Sequence, residues 1–286
     1  LMLLSRFIAG LPHGAYFGAA GVLCTQLAEP GKASRDMCLM VAGMTIANLA
    51  GVPLASFLAW AVSWRAAFAI AAAAALITFS AIRITVPKVP ALPDSGFAAQ
   101  FRFLRSLEPW LVLGAIGLGN GGFFAYYSYV NPVMEHVAAV PASMMSVVIT
   151  LAGAGMVLGN LFCAKISSSF SDESLAAGQG VLLLSLASVF FLAHWSPAAI
   201  ALTTLAAGCV FFISGPEQVL MIRNAKEGQL LAASLAQVSF NAGNAVGAWL
   251  GGLPIDAGKA ANWAAMPGFF LALAGFGLLF VNWLIH

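Results

Sequence analysis

The chain alternates long apolar runs with short polar breaks. The runs occupy residues 3–27, 37–60, 64–86, 108–133, 142–164, 175–195, 198–221, 230–253 and 263–285, each bounded by charges or by Pro and Gly clusters. Each reaches the roughly 20 residues that cross a hydrocarbon core about 30 Å thick. In lipid a chain must satisfy its own backbone N–H and C=O groups, so uninterrupted runs of this length predict helices. Barrel strands would be shorter and would alternate apolar with polar positions. The expectation is an all-α polytopic membrane protein with about nine transmembrane helices.

Composition strengthens that expectation. Hydrophobic residues make up 61% of the chain and charged ones 8%, where soluble domains carry charge at roughly a quarter of positions; mean hydropathy is +0.94. A net charge of +2 gives no nucleic-acid footprint. The twelve Lys and Arg inform through their placement instead. With the runs threaded alternately, Lys32, Arg35, Arg83, Lys88, Arg102, Arg105, Lys165, Arg223 and Lys226 share one side, leaving Arg6, Arg65 and Lys259 for the other. By the positive-inside rule the first side is cytoplasmic, which puts the carboxyl end in the cytoplasm and the amino end outside. The chain opens on Leu1 with no signal-peptide pattern. An external start of this kind leads to the expectation that three further helices precede it.

The longest polar connection, residues 87–107, carries Pro87, Pro90 and Pro93, then Asp94, Ser95 and Gly96. Its second part, Phe97 to Arg105, mixes aromatic and basic residues, as expected of a short helix on the inner leaflet. On either side lies a weak repeat, with Asn48 to Leu54 and Asn244 to Leu250 both fitting N-x-x-G-x-x-L. The first follows Gly31 by 17 positions and the second Gly228 by 16. A parallel repeat of three helices against the last three is the pattern of a two-half transporter.

Arg6-Phe7-Ile8-Ala9-Gly10 resembles the R-x-x-x-G signature on the fourth helix of major facilitator transporters, and Gly43 to Ala55, with Gly51 and Pro53, resembles their fifth-helix antiporter motif. The phrases GLPHGAYFG, GMTIANLAGVPL, SWRAAF, FLRSLEPWL, AGMVLGN and NAVGAWLGG are similar to the arabinose-efflux-permease-like group of the drug:proton antiporter branch. The resemblance implies a twelve-helix major facilitator fold, here truncated to helices four to twelve. Residues 1–86 would be the rear three helices of the first half, 87–107 a cytoplasmic linker, and 108–286 the second six-helix half. It also implies a bacterial-type inner membrane, sugar or sugar-like efflux, and a coupling or recognition role for Arg6.

Candidate residues each carry two readings. Arg6 and His13, seven apart, share a helical face about 10 Å apart along the axis; they face a cavity, or Arg6 snorkels outward and His13 packs. Gly10, Gly14 and Gly18 form a small stripe permitting close helix contact. Gly43, Ala47 and Gly51 form another, ending at the kink expected of Pro53; the resemblance links this bend to antiport. Glu217 is the one acid clearly inside a run. It either exchanges a proton during transport or snorkels toward Arg223. Asn48, Asn120, Tyr126, Tyr127, Tyr129 and Asn131, with Gln237, Asn241 and Asn244, line a solute cavity or join helices by hydrogen bonds.

The expected function is secondary active, proton-coupled efflux of sugars or small amphipathic solutes by alternating access, with no P-loop for nucleotide use. Multidrug efflux is an alternative. A truncated, transport-inactive membrane protein is another. An enzyme is not expected, because H-E-x-x-H is missing and no G-x-S-x-G turn accompanies a suitable base. Cys24, Cys38, Cys163 and Cys209 show no C-x-x-C spacing and read as buried small hydrophobes, so no metal or cofactor is expected. The expected partners are a small-molecule substrate, protons and the lipid bilayer, with the chain a monomer.

Overall fold

A computed structural model describes residues 2–51, 54–55, 58, 61–89, 97–166, 172–225 and 228–285. Among the described residues the regular structure is helical. The long helices are α1 (Met2–Leu27), α2 (Ala33–Ile46), α3 (Trp64–Thr85), α4 (Glu108–Tyr127), α5 (Met145–Ile166), α6 (Asp172–Leu192), α7 (Ser196–Arg223), α8 (Gln229–Asp256) and α9 (Ala265–Ile285). Each overlaps one of the apolar runs. Among the described residues five stretches are long and apolar enough to cross a membrane: Trp64–Thr85, Ala142–Ile166, Glu173–Leu192, Ser196–Arg223 and Ala261–Ile285. Of the nine expected spans, five meet that measure of length and composition among the described residues. Regular α2 is only 14 residues long, and α8 spreads Gln237, Ser239, Asn241 and Asn244 along its length.

Two expected runs are interrupted. α2 passes into a π-helical turn, Ala47–Gly51, just before Pro53, a residue outside the described set. In the run 108–133 the regular α-helix ends at Tyr127. The chain then forms a short turn, Val130–Pro132, and a π-helical turn, Val133–Val137. Pro132 has no N–H to extend the α-helical ladder, which accounts for the break. The helix expected in the second part of the linker is also split, into Phe97–Gln100 and a 3-10 turn, Arg102–Arg105. It rests on protein as well as facing outward, since Phe103 packs against Val112, Ile116, Met221 and Ala232.

Glycine decides how the helices pair. α4 packs between α8 and α9, and α7 packs against α5, α6 and α2. A Cβ added at Gly243, Gly247 or Gly251 of α8 would collide with the carbonyl of Gly117, Gly121 or Ala125 on α4. Gly155 and Gly159 of α5 meet the carbonyls of Thr204 and Gly208 on α7 in the same way. Backbones this close gain dispersion and Cα–H···O contacts that larger residues would forbid. Gly31 turns the chain between α1 and α2 at φ +80°, a left-handed conformation suited to glycine.

The first three helices meet the rest unevenly. α1 lies on α8, and α2 packs on α5 and α7. Val41 of α2 joins a buried cluster with Phe123, Tyr126, Leu182, Val210 and Phe211. α3, by contrast, has no buried residue along its length.

Candidate functional site

In the sequence Ser214-Gly215-Pro216-Glu217, glycine and proline place the carboxylate at a contact between helices. A Cβ at Gly215 would meet Sγ of Cys38 at 2.6 Å and its backbone N at 3.2 Å, so α2 approaches α7 closely there. Pro216 lies inside α7 without an N–H to donate. Glu217 follows, 1% exposed, at a narrow cavity shared by four helices. Val41 and Met44 come from α2, Ile116 from α4, Ser214 and Glu217 from α7, and Gln237 from α8.

Two amides hold the Glu217 carboxylate, one at each oxygen. Asn120 Nδ2 of α4 donates to Oε2 at 3.4 Å, and also to the Ile116 carbonyl at 2.7 Å. Gln179 Nε2 of α6 donates to Oε1 at 3.2 Å. Among the described residues no cation lies within ion-pair distance of Glu217. Its side chain is thus turned into the bundle and does not reach out to Arg223. A carboxyl buried without a counter-cation is costly as an anion, so the neutral acid is an accessible state.

The other predicted residues fall in several places. Gln237 lines the Glu217 cavity, 5% exposed, and donates to Asn241 Oδ1 at 3.5 Å. Asn241 itself is exposed, and Asn244 buries an Oδ1 without a partner. Tyr126 sits in the core, its hydroxyl 2.6 Å from Thr203 Oγ1. Tyr127 is half-buried and stacks on Phe123 with ring centroids 4.8 Å apart. Tyr129 donates to the Ala248 carbonyl at 2.9 Å, tying the end of α4 to α8. Asn131 lies beyond the break in α4 and is exposed. Among the described residues Gly14 and Gly43 face open space, Gly51 meets only the Ala47 Cβ at 3.9 Å, and Gly18 abuts Ser234 of α8. The side chains of Arg6, His13 and Asn48, together with Gly10 and Pro53, lie outside the described residues.

Three features escaped the sequence reading. Gln179 is a lone amide between two glycines, and nothing local marks its partner 38 residues away. Asn160 of α5 donates to Thr45 Oγ1 of α2 at 3.4 Å. Cys38 and Cys163, 125 residues apart and read as unrelated, bring their sulfurs to 2.6 Å between α2 and α5.

Comparison with known proteins gives the family. The family profile of the Major Facilitator Superfamily matches residues 1–247. AraJ of Escherichia coli (strain K12) is 35% identical over 280 residues, covering 98% of this chain and 71% of AraJ. Inner membrane transport protein YdhP of Escherichia coli (strain K12) is 28% identical, with 98% and 72% covered. The purine ribonucleoside efflux pump NepI of Escherichia coli O1:K1 / APEC is 26% identical, with 90% and 65% covered. With apolar helices of spanning length joined to this match, the chain belongs to the Major Facilitator Superfamily of multi-pass membrane transporters.

Proposed function

We propose that the chain is a proton-coupled efflux transporter that works by alternating access, with Glu217 as its proton carrier. The observation that carries this reading is the position of Glu217: a buried carboxyl with no cation in ion-pair reach among the described residues, at the cavity where α2 meets α4, α7 and α8. A carboxyl there is charged or neutral according to its access to either face, and rearrangement of the helices around it changes that access. We divide the moving parts at the linker, with residues 1–86 in one body, 87–107 between, and 108–286 in the other. All nine apolar helices cross the inner membrane in this reading, with the carboxyl end in the cytoplasm. The chain works as a monomer.

Gln237 contributes to the solute path, and Arg6, His13, Asn48, Asn120, Asn241 and Asn244 are its further candidate contacts. Tyr126 and Tyr127 support the cavity wall from the core side. Gly10, Gly14, Gly43, Gly51 and Pro53 serve the bending of α1 and α2. The solute is sugar-like or a small amphipathic molecule. Multidrug efflux is the second reading, favoured by a relative named for chloramphenicol resistance in Streptomyces lividans, 25% identical over 252 residues.

Counterflow in vesicles separates these substrate classes. Vesicles preloaded with arabinose, inosine or chloramphenicol are diluted into the same labelled solute. Exchange of arabinose alone supports the sugar reading, exchange of chloramphenicol the drug reading, and exchange of none the inactive one.

A further inference from the structure

We propose that Gln179 is the positioning residue that registers the protonation of Glu217: its amide turns over when a proton arrives on Oε1. This rests on the reading of Glu217 as a proton carrier and adds which oxygen takes the proton and what answers it.

The two amides around the carboxylate are not equivalent. Asn120 uses its NH2 group twice, toward Glu217 and toward the Ile116 carbonyl one helical turn back. Turning it over would set its Oδ1 against that carbonyl, acceptor against acceptor. Gln179 has Glu217 as the partner of its NH2, while its Oε1 is buried without a hydrogen bond. It loses nothing else by turning over. As drawn, both amides donate, which suits an ionised carboxylate, an acceptor at both oxygens. A protonated carboxyl carries an O–H that needs an acceptor. Asn120 Oδ1 and Gln179 Oε1 are both buried without a partner, and of the two only Gln179 can present its oxygen without giving up another hydrogen bond. Proton uptake then adds H⁺ to Oε1 of the carboxylate to give the neutral acid, whose O–H donates to Gln179 Oε1. No electrons move.

Surrounding groups leave this exchange to the amides. α4 and α8 offer Ile116, Asn120, Ala236 and Gln237 near Glu217, none of them titratable. From α2 the facing titratable group is Cys38, packed on Gly215 and against Cys163 of α5. On α7 itself Cys209 lies two turns before the carboxyl and Arg223 six residues after it. Room for the turning amide comes from Gly119, where a Cβ would stand 2.5 Å from Gln179 Nε2 and 3.9 Å from its Oε1. An alanine there presses on the amide without touching Glu217.

The test is pH-difference infrared spectroscopy of the full chain in lipid vesicles, with glutamine side chains isotope-labelled. The wild type is expected to show a protonated-carboxyl C=O band, lost in Glu217→Gln, together with a paired shift of one glutamine C=O band, lost in Gln179→Leu. Gln179→Leu should displace the midpoint of the carboxyl band several-fold in proton concentration, because the hydrogen bond lost by the charged carboxylate is stronger than the one lost by the neutral acid. Gly119→Ala should displace it in the same sense by a smaller factor. A carboxyl band with no glutamine partner, or midpoints unmoved in both variants, overturns the role of Gln179 and leaves Glu217 as carrier. Absence of any carboxyl band sensitive to Glu217→Gln overturns both.

Discussion

Tyr126 and Gln237 are both buried polar residues, yet they answer to different demands. The Tyr126 hydroxyl donates to Thr203 Oγ1, whose own hydrogen goes to the Ala199 carbonyl at 2.7 Å. Replacing the phenol leaves Thr203 with that second partner. Tyr126→Phe is therefore expected to cost about 1 kcal/mol, read by thermal unfolding in detergent, with transport unchanged. Gln237 lines the cavity beside Glu217 and has a single long hydrogen bond within its own helix. Gln237→Ala is expected to cost about 1 kcal/mol in unfolding, as typical for a point substitution, while raising KM for the transported solute, because it removes a cavity contact. Equal KM values would remove Gln237 from the solute path.

At the scale of helices, close backbone approach sets the pairing. Gly247 of α8 rests on the Gly121 carbonyl of α4, whereas Gly277 of α9 faces open space. Gly247→Ala is expected to destabilise by about 2 kcal/mol through overpacking against backbone that cannot yield. Gly277→Ala is expected to be neutral or stabilising by about 0.5 kcal/mol, from helix propensity. Thermal unfolding of the two variants side by side checks the contrast. The same seams explain what could be read in advance. Helix positions follow from apolar runs, because lipid leaves the backbone no other way to satisfy itself. Pairing does not, because the chain has 29 glycines and only those meeting another backbone carry it. The stripes singled out in α1 and α2 include Gly14 and Gly43, which meet nothing, while the tight seams run along α4, α5, α7 and α8. The break after Tyr127 was missed because the run was carried on through Pro132, although that residue cannot extend the ladder.

For the whole molecule, the central question is how the segment before the linker moves against the segment after it. Cys38 and Cys163 join α2 to α5 across that division. Oxidation with diamide is expected to link them and stop transport until a reductant is added. After denaturation Cys24 and Cys209 should then still label with maleimide while Cys38 and Cys163 do not; labelling at all four would show that the pair does not close. The candidate site was legible only in part for the same long-range reason. Glu217 stood out as an acid in an apolar run, but Gln179 and Asn120 reach it from 38 and 97 residues away, and no local pattern records such a meeting. The most direct test of the proton carrier is solute accumulation in everted membrane vesicles under an imposed inside-acid gradient, with wild type and Glu217→Gln in parallel. Gradient-driven accumulation in wild type that is lost in Glu217→Gln, with counterflow exchange retained, is the predicted result; equal gradient-driven accumulation in both would contradict it.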